Sequence, residues 1–147
     1  MSEPKDFKFS AELRVRLPET DTLGVVYHGC FLTYFDVARM DYLRGLGLLE
    51  QFRKGESLNL VVHASADFRS PARFDDVLLV HVRVRRIGET SVHFEFRVDL
   101  KADGRLVAEG RSVHSFIDSK TWQPTRVPGE FRTKVCAFEG SALDEKA

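Results

Sequence analysis

A chain of 147 residues with 22 Lys and Arg against 22 Asp and Glu has a formal net charge of zero, which gives no ground for a nucleic-acid or anionic-membrane partner. At 43% hydrophobic and 30% charged residues the composition is that of a globular protein, with length for one domain and its core but not for two. No apolar run approaches a membrane span, the opening MSEPKD lacks a signal-peptide pattern, and Cys30 and Cys136 fit neither zinc spacing nor a disulfide framework; the expectation is a cytoplasmic protein without a metal or cofactor.

Taken in chain order, residues 7 to 17 alternate strictly. Phe7, Phe9, Ala11, Leu13, Val15 and Leu17 fall on one face, with Lys8, Ser10, Glu12, Arg14 and Arg16 on the other, the period of a half-buried strand. Pro18 ends it and opens the loop PETDTLGVVYHG. From Cys30 to about Leu46 the period becomes helical, with Phe31, Phe35, Ala38, Tyr42, Leu43 and Leu46 in one broad arc. Arg39 falls inside that arc, where it needs a partner, and Asp36 lies one turn away.

A polar loop around Lys54 to Glu56 follows, then four strand-like runs. Leu60, Val62, Ala64, Ala66 and Phe68 alternate with Val61, His63, Ser65, Asp67 and Arg69. Leu78, Val80, Val82 and Val84 alternate with Leu79, His81, Arg83 and Arg85, and Val92, Phe94, Phe96, Val98 and Leu100 with His93, Glu95, Arg97 and Asp99. Asp103-Gly104 signals a hairpin, leading into a run from Arg105 to Ile117. Pro128 can open a short helix, with Phe131, Val135 and Phe138 toward the core. The polar tail GSALDEKA, 140–147, is expected to fray. One apolar helix against an antiparallel sheet with one polar-looking face is a two-layer α+β domain.

The segment ETDTLGVVYHGCFLTYFDVAR, residues 19–39, resembles the signature of the 4-hydroxybenzoyl-CoA thioesterase family, in particular its YbgC-like acyl-CoA thioesterase branch. Asp21, Gly24, Val25, Val26, Tyr27, His28, Tyr34, Phe35, Ala38 and Arg39 match that pattern in order. Glu19 stands where the pattern has a first aspartate, Phe31 where a tyrosine is common, and Asp36 in place of a glutamate. A later match, in ADFRSPARFDDVLLV, runs through Phe68, Pro71, Ala72, Arg73, Asp75 and Asp76, so the resemblance covers about residues 8–135.

The resemblance implies a hot-dog fold, an antiparallel sheet of about five strands wrapped around one long helix. It also implies a homodimer with shared active sites, dimers that pair into a homotetramer, and hydrolysis of an acyl-CoA with Asp21 and His28 in catalysis. Asp21 would activate water or attack the carbonyl itself; His28 would orient the water or the carbonyl. Some members of the branch carry a catalytic tyrosine four residues before the aspartate, where this chain has Leu17.

Chemistry asks for the same parts. Thioester hydrolysis needs a base or nucleophile and donors for the oxyanion. A helix beginning near Cys30 points its free N–H groups back at the Asp21 loop, so the backbone of Tyr27, His28 and Gly29 offers donors, one such donor being worth roughly 3 kcal/mol. For the phosphates of coenzyme A the candidates are Arg69, Arg73 and Arg85, with Arg83 and Arg86 alongside; each is equally readable as a solvated position. His63, His81, His93 and His114 share no metal spacing and read as exposed or interface residues. Cys30 reads as a buried helix-start residue rather than a nucleophile. Two other readings stay open: hydrolysis of an acyl-carrier-protein thioester, disfavoured by the balanced charge, and a non-catalytic acyl-CoA-binding module. A hot-dog hydratase or dehydratase uses other Asp/His or His/Glu placements and does not match.

Overall fold

The alternation at the N-terminus becomes a six-residue edge strand, β1 (Phe9–Arg14), and the helical period becomes α1 (Cys30–Gly45). A five-residue helix, α2 (Leu49–Arg53), precedes β2 (Leu58–Phe68); β3 (Val77–Ile87), β4 (Ser91–Leu100), β5 (Leu106–Ile117) and α3 (Gly129–Glu139) complete the order. The computed structural model describes residues 2–55, 58–140 and 143. Glu56 and nearly all of the expected fraying tail lie outside the described residues. The five strands form one antiparallel sheet in the order β1-β3-β4-β5-β2, so the strand after the long helix takes one edge and the first strand the other.

One face of this sheet is packed by α1. Leu78, Val80, Val82 and Val84 of β3 and Val92, Phe94, Phe96 and Val98 of β4 are buried together with Phe31, Phe35, Ala38, Tyr42 and Leu43 of the helix, as the two periods require. Helix and sheet come unusually close at Gly110. A Cβ there would stand 2.3 Å from Phe35 Cε2 and 2.7 Å from the Ser65 carbonyl oxygen, so only glycine lets Phe35 lie flat on Phe96, with ring centroids 4.5 Å apart and planes 9° from parallel. Arg39 is buried as the arc implies, 3.2 Å from Asp36 and 5.9 Å above the Phe94 ring.

Several expectations are corrected. Phe7 does not share a face with Phe9. It precedes β1 and lies on the outer side of the sheet against His81, centroids 5.6 Å apart, under the Arg83 guanidinium, whereas Phe9 meets Tyr42 on the helix side. Leu17 sits in a 3-10 turn, Leu17–Glu19, and is 65% exposed. In β2 a bulge between Val61 and His63 breaks the strict alternation, so Val61 pairs across from His114 and Leu60 from Ser115. A second bulge lies between Val84 and Arg86. The polar face is polar but only partly solvated: Arg83, Glu95 and Asp99 are buried, because the N-terminal segment crosses them. The Ser2 hydroxyl bonds Glu95, Arg97 donates to the Ser2 carbonyl and Arg83 to that of Asp6.

His114 is neither exposed nor at an edge. It is wholly buried beneath the helix, with Nε2 2.8 Å from Ser112 Oγ and its ring edge-on to Phe94. Burial, reinforced by the Arg39 charge, pulls its pKa down to about 3, so it is neutral at ordinary pH. α3 is fastened by Glu139, 1% exposed, which accepts bonds from the Tyr42 hydroxyl at 2.6 Å and the Val84 N–H at 2.9 Å.

Candidate active site

The loop between β1 and α1 is closed by its own backbone. Thr20 and Val26 form an isolated antiparallel bridge, the Asp21 N–H donates to the Val25 carbonyl and the Gly24 N–H to that of Asp21. Gly24 turns the chain at φ +78°, a conformation glycine adopts without penalty. The loop is then tied to the segment after β2, the Val26 N–H reaching the Ala72 carbonyl at 2.8 Å; this explains why the two motif blocks, distant in sequence, occur together. Asp21 stands at the mouth of this loop, half-buried. One carboxylate oxygen accepts the Leu23 N–H at 2.9 Å; the other has no partner among the described residues, which leaves it for a ligand.

The residues after the bridge form the first turn of α1. Cys30, Phe31 and Leu32 donate back to the carbonyls of Tyr27, His28 and Gly29. The Tyr27 N–H is already committed to the Glu19 carbonyl at 2.8 Å, so of the three expected backbone donors it is taken. The N–H groups of His28 and Gly29 have no protein acceptor among the described residues, as the orphan donors of a helix start should. The His28 ring is exposed, between the half-exposed Tyr27 ring at 4.3 Å and Phe68 at 6.2 Å; Phe31 closes the apolar side against Phe68 at 5.5 Å.

One functional group escaped the sequence reading. Glu19 is buried two residues before Asp21 and receives the Arg16 N–H at 2.8 Å, the Arg16 guanidinium at 2.8 and 3.1 Å, and the Tyr34 hydroxyl of α1 at 3.0 Å. Burial alone would raise its pKa, but the bonds from Arg16 and Tyr34 outweigh it and hold the carboxyl below its usual range. Burial, and then the same bond to Glu19, push the Tyr34 hydroxyl up. Glu19 thus clamps the loop to the helix with its side chain and to Tyr27 with its carbonyl. Its departure from aspartate in the motif was the available signal, since the longer side chain spans the gap to Tyr34. Cys30 is half-buried and burial, with Glu19 nearby, raises its thiol, the opposite of an activated nucleophile.

The three arginines singled out for phosphate contacts do not converge. Arg69 pairs with Glu109 at 3.2 Å and Arg85 with Glu95 at 3.0 Å; both line a cleft of about 960 Å³ on the outer face, and Arg73 does not. No helix among the described residues is long and apolar enough to cross a membrane.

A five-stranded antiparallel sheet packed on one face by a long helix is the architecture of a hot-dog domain, and comparison with known proteins places it among the thioesterases. Residues 15–135 match the model of the thioesterase-like superfamily, and the chain belongs to that family. It is 31% identical over 129 residues to the acyl-CoA thioesterase YbgC of Haemophilus influenzae, covering 86% of this chain and 93% of that one. Among solved structures, a 1,4-dihydroxy-2-naphthoyl-CoA thioesterase from Synechocystis superposes with a TM-score of 0.81 at 27% identity, covering 87% and 95% of the two chains. A Thermus thermophilus thioesterase solved with coenzyme A and zinc gives 0.81 at 26% identity, covering 92% and 97%. The sheet and long helix expected from the sequence are those of these structures; α3 is a second, shorter helix beside them.

Proposed function

We propose that the protein hydrolyses the thioester of an acyl-CoA with a short or medium aliphatic, or an aromatic, acyl group, releasing the acid and coenzyme A. The observation that carries this reading is the pairing of a carboxylate oxygen without a protein partner on Asp21 with the free His28 and Gly29 N–H groups of the same loop. A thioester carbonyl bound between them has its oxygen on the backbone donors and its carbon before the carboxylate. The donors sit at the positive end of α1, where developing negative charge is stabilised. Asp21 then either takes a proton from water as it attacks the carbonyl carbon, or attacks that carbon itself and is freed when water opens the mixed anhydride. His28, exposed beside Phe68, orients water or carbonyl. Family membership and the acyl-CoA thioesterases among its relatives support the choice of substrate.

The same reading makes the active unit a dimer. β2 is an edge strand with its outer side unpaired, and Leu60, Val61, Val62 and Phe68 are 40 to 61% exposed along it, an apolar edge that a second copy would cover by continuing the sheet. The resemblance extends the assembly to a homotetramer. Two free cysteines fit a reducing cytoplasm.

Thiol release from a panel of aliphatic and aromatic acyl-CoAs by the wild type and by Asp21→Asn tests the reading. A fall in kcat of a hundredfold or more, about 2.7 kcal/mol of barrier, with unchanged circular dichroism is expected. No thiol release from any CoA ester overturns the CoA assignment, and turnover of a carrier-protein thioester would replace it. Label found in the Asp21 carboxylate after a single turnover in ¹⁸O-water establishes the anhydride route with water attacking the Asp21 carbonyl carbon, since general-base catalysis puts label only in the released acid.

A further inference from the structure

The outer face of the sheet, opposite α1, concentrates cations that the catalytic loop does not use. In one row across the strands His63 pairs with Val113, Val113 with His93 and His93 with Arg86; in the adjacent row Arg111 pairs with Glu95. The bulge between Val84 and Arg86 sets Arg85 beside Arg86, so two consecutive arginines border a single pocket of about 340 Å³ with His63, His93 and Arg111. Like charges on neighbouring strands repel, and the chain as a whole is neutral, so this excess is local.

Glu95 is the one carboxylate on the pocket, and it is already engaged by Arg83 at 3.1 Å and Arg85 at 3.0 Å. Arg86 and Arg111 have no ion pair among the described residues. The Arg86 Nε is shut away from solvent without a hydrogen-bond acceptor, and a buried donor left unpaired costs about 1–3 kcal/mol. His93 is held toward its neutral form by burial and by the Arg86 charge, so its ring adds a donor without another fixed cation. An acceptor-rich anion in the pocket meets Arg86, Arg111 and the His93 ring together, and guanidinium forks match phosphoryl oxygens in pairs. Arg85, Glu95 and Arg111 also line the adjoining outer cleft of about 960 Å³, which gives the remainder of a larger ligand a place to lie.

We infer that this pocket is a phosphoanion site, and that its ligand is the phosphorylated nucleotide arm of coenzyme A. The second half rests on the acyl-CoA reading above; the first does not. Its position against His63 of β2 puts the nucleotide beside the edge proposed as the seam between protomers.

Calorimetric titration of the purified oligomer with 3′,5′-ADP and with inorganic pyrophosphate tests the site, using the wild type, Arg111→Glu and the double variant Arg86→Ala/Arg111→Ala. Arg111 is exposed, so its reversal leaves the core intact if the double variant folds poorly. Both ligands are expected to bind the wild type and to lose at least tenfold in affinity in Arg111→Glu. In parallel, kcat/KM for an acyl-CoA relative to the phosphate-free N-acetylcysteamine thioester of the same acid is expected to fall at least tenfold. Unchanged affinity for both anions, or no binding to the wild type, overturns the site. Lost anion binding with an unchanged kcat/KM ratio overturns the coenzyme A half and leaves a site for a free phosphoanion. Anion binding that depends on Arg111 in a protein inert toward every CoA ester separates failure of the catalytic reading from failure of the site.

Discussion

Acidification from pH 7 to pH 5 should destabilise this protein, with one buried imidazole, His114, contributing most. His114 has an ordinary pKa of 6.5 when unfolded and one of about 3 in the buried site beside Arg39. The unfolded chain therefore binds a proton that the folded chain refuses, and stability present above pH 6.5 is lost as the pH falls. Between pH 7 and pH 5 this amounts to about 2 kcal/mol from His114. His81 and His93 are also depressed, by burial first, and add to the loss in the same direction. Glu19, held low against its burial by Arg16 and Tyr34, and Glu95, held low against its burial by Ser2, Arg83 and Arg85, begin to contribute only nearer pH 4.5, so the window isolates the histidines. Urea denaturation at both pH values, at fixed protomer concentration because association shifts apparent stability, gives the total. His114→Asn keeps a polar group toward Ser112 and removes the titrating ring; its pH dependence should be smaller by about 2 kcal/mol. Equal pH dependence in the two proteins would refute the reasoning.

Glu19→Ala leaves the Tyr34 hydroxyl without its acceptor and frees Arg16, which should lower stability by about 1–3 kcal/mol and kcat by ten- to a hundredfold, while Glu19→Gln recovers part of the rate. A rate unaffected in Glu19→Ala would show that the backbone bridge alone positions Asp21. Gly110→Ala forces a methyl onto Phe35 and the β2 backbone, and thermal unfolding should report a loss of about 2 kcal/mol; Phe35→Leu in the same chain should restore some of it, and an isolated Gly110→Ala of full stability would contradict the close approach.

Where periods were strong the sequence was readable. α1 begins at Cys30 and ends within a residue of the expected Leu46, because its apolar arc is wide and glycines, Gly45 as its last residue and Gly47 beyond it, mark the end. Asp36 with Arg39, and the succession of elements along the chain, were equally open to view; the place of β2 beside β5 was not, because the runs read as consecutive hairpins. What stayed hidden has physical causes. The bulges at Val62 and Arg85 change which side later residues face without altering the apolar count. β5 misleads by composition: its helix-facing side carries Gly110, Ser112 and His114, with Phe35 pressed onto Gly110, while Val113 points the other way beside His93. The folding of Ser2 to Phe7 over the outer charges follows from a partner surface no local pattern encodes. Of the candidate site, the identities of Asp21 and His28 came from the motif; the clamp by Glu19 needed the helix in place.

The sheet's two rims are unlike. β1 is six residues long and turns Ser10, Glu12 and Arg14 away from the core, whereas β2 runs for eleven residues with valines in view. A ribbon with one inviting border and one short, charged border is a monofunctional unit in the polymer chemist's sense: two of them couple, and the product has no inviting border left. The bulge at Val62 narrows the choice further, because an irregular strand matches its own copy in few registers. In the dimer proposed above, coupling through β2 would be a reaction that terminates itself at the pair, and the same apolar border that would make an isolated chain prone to fibrils would be consumed in the first step.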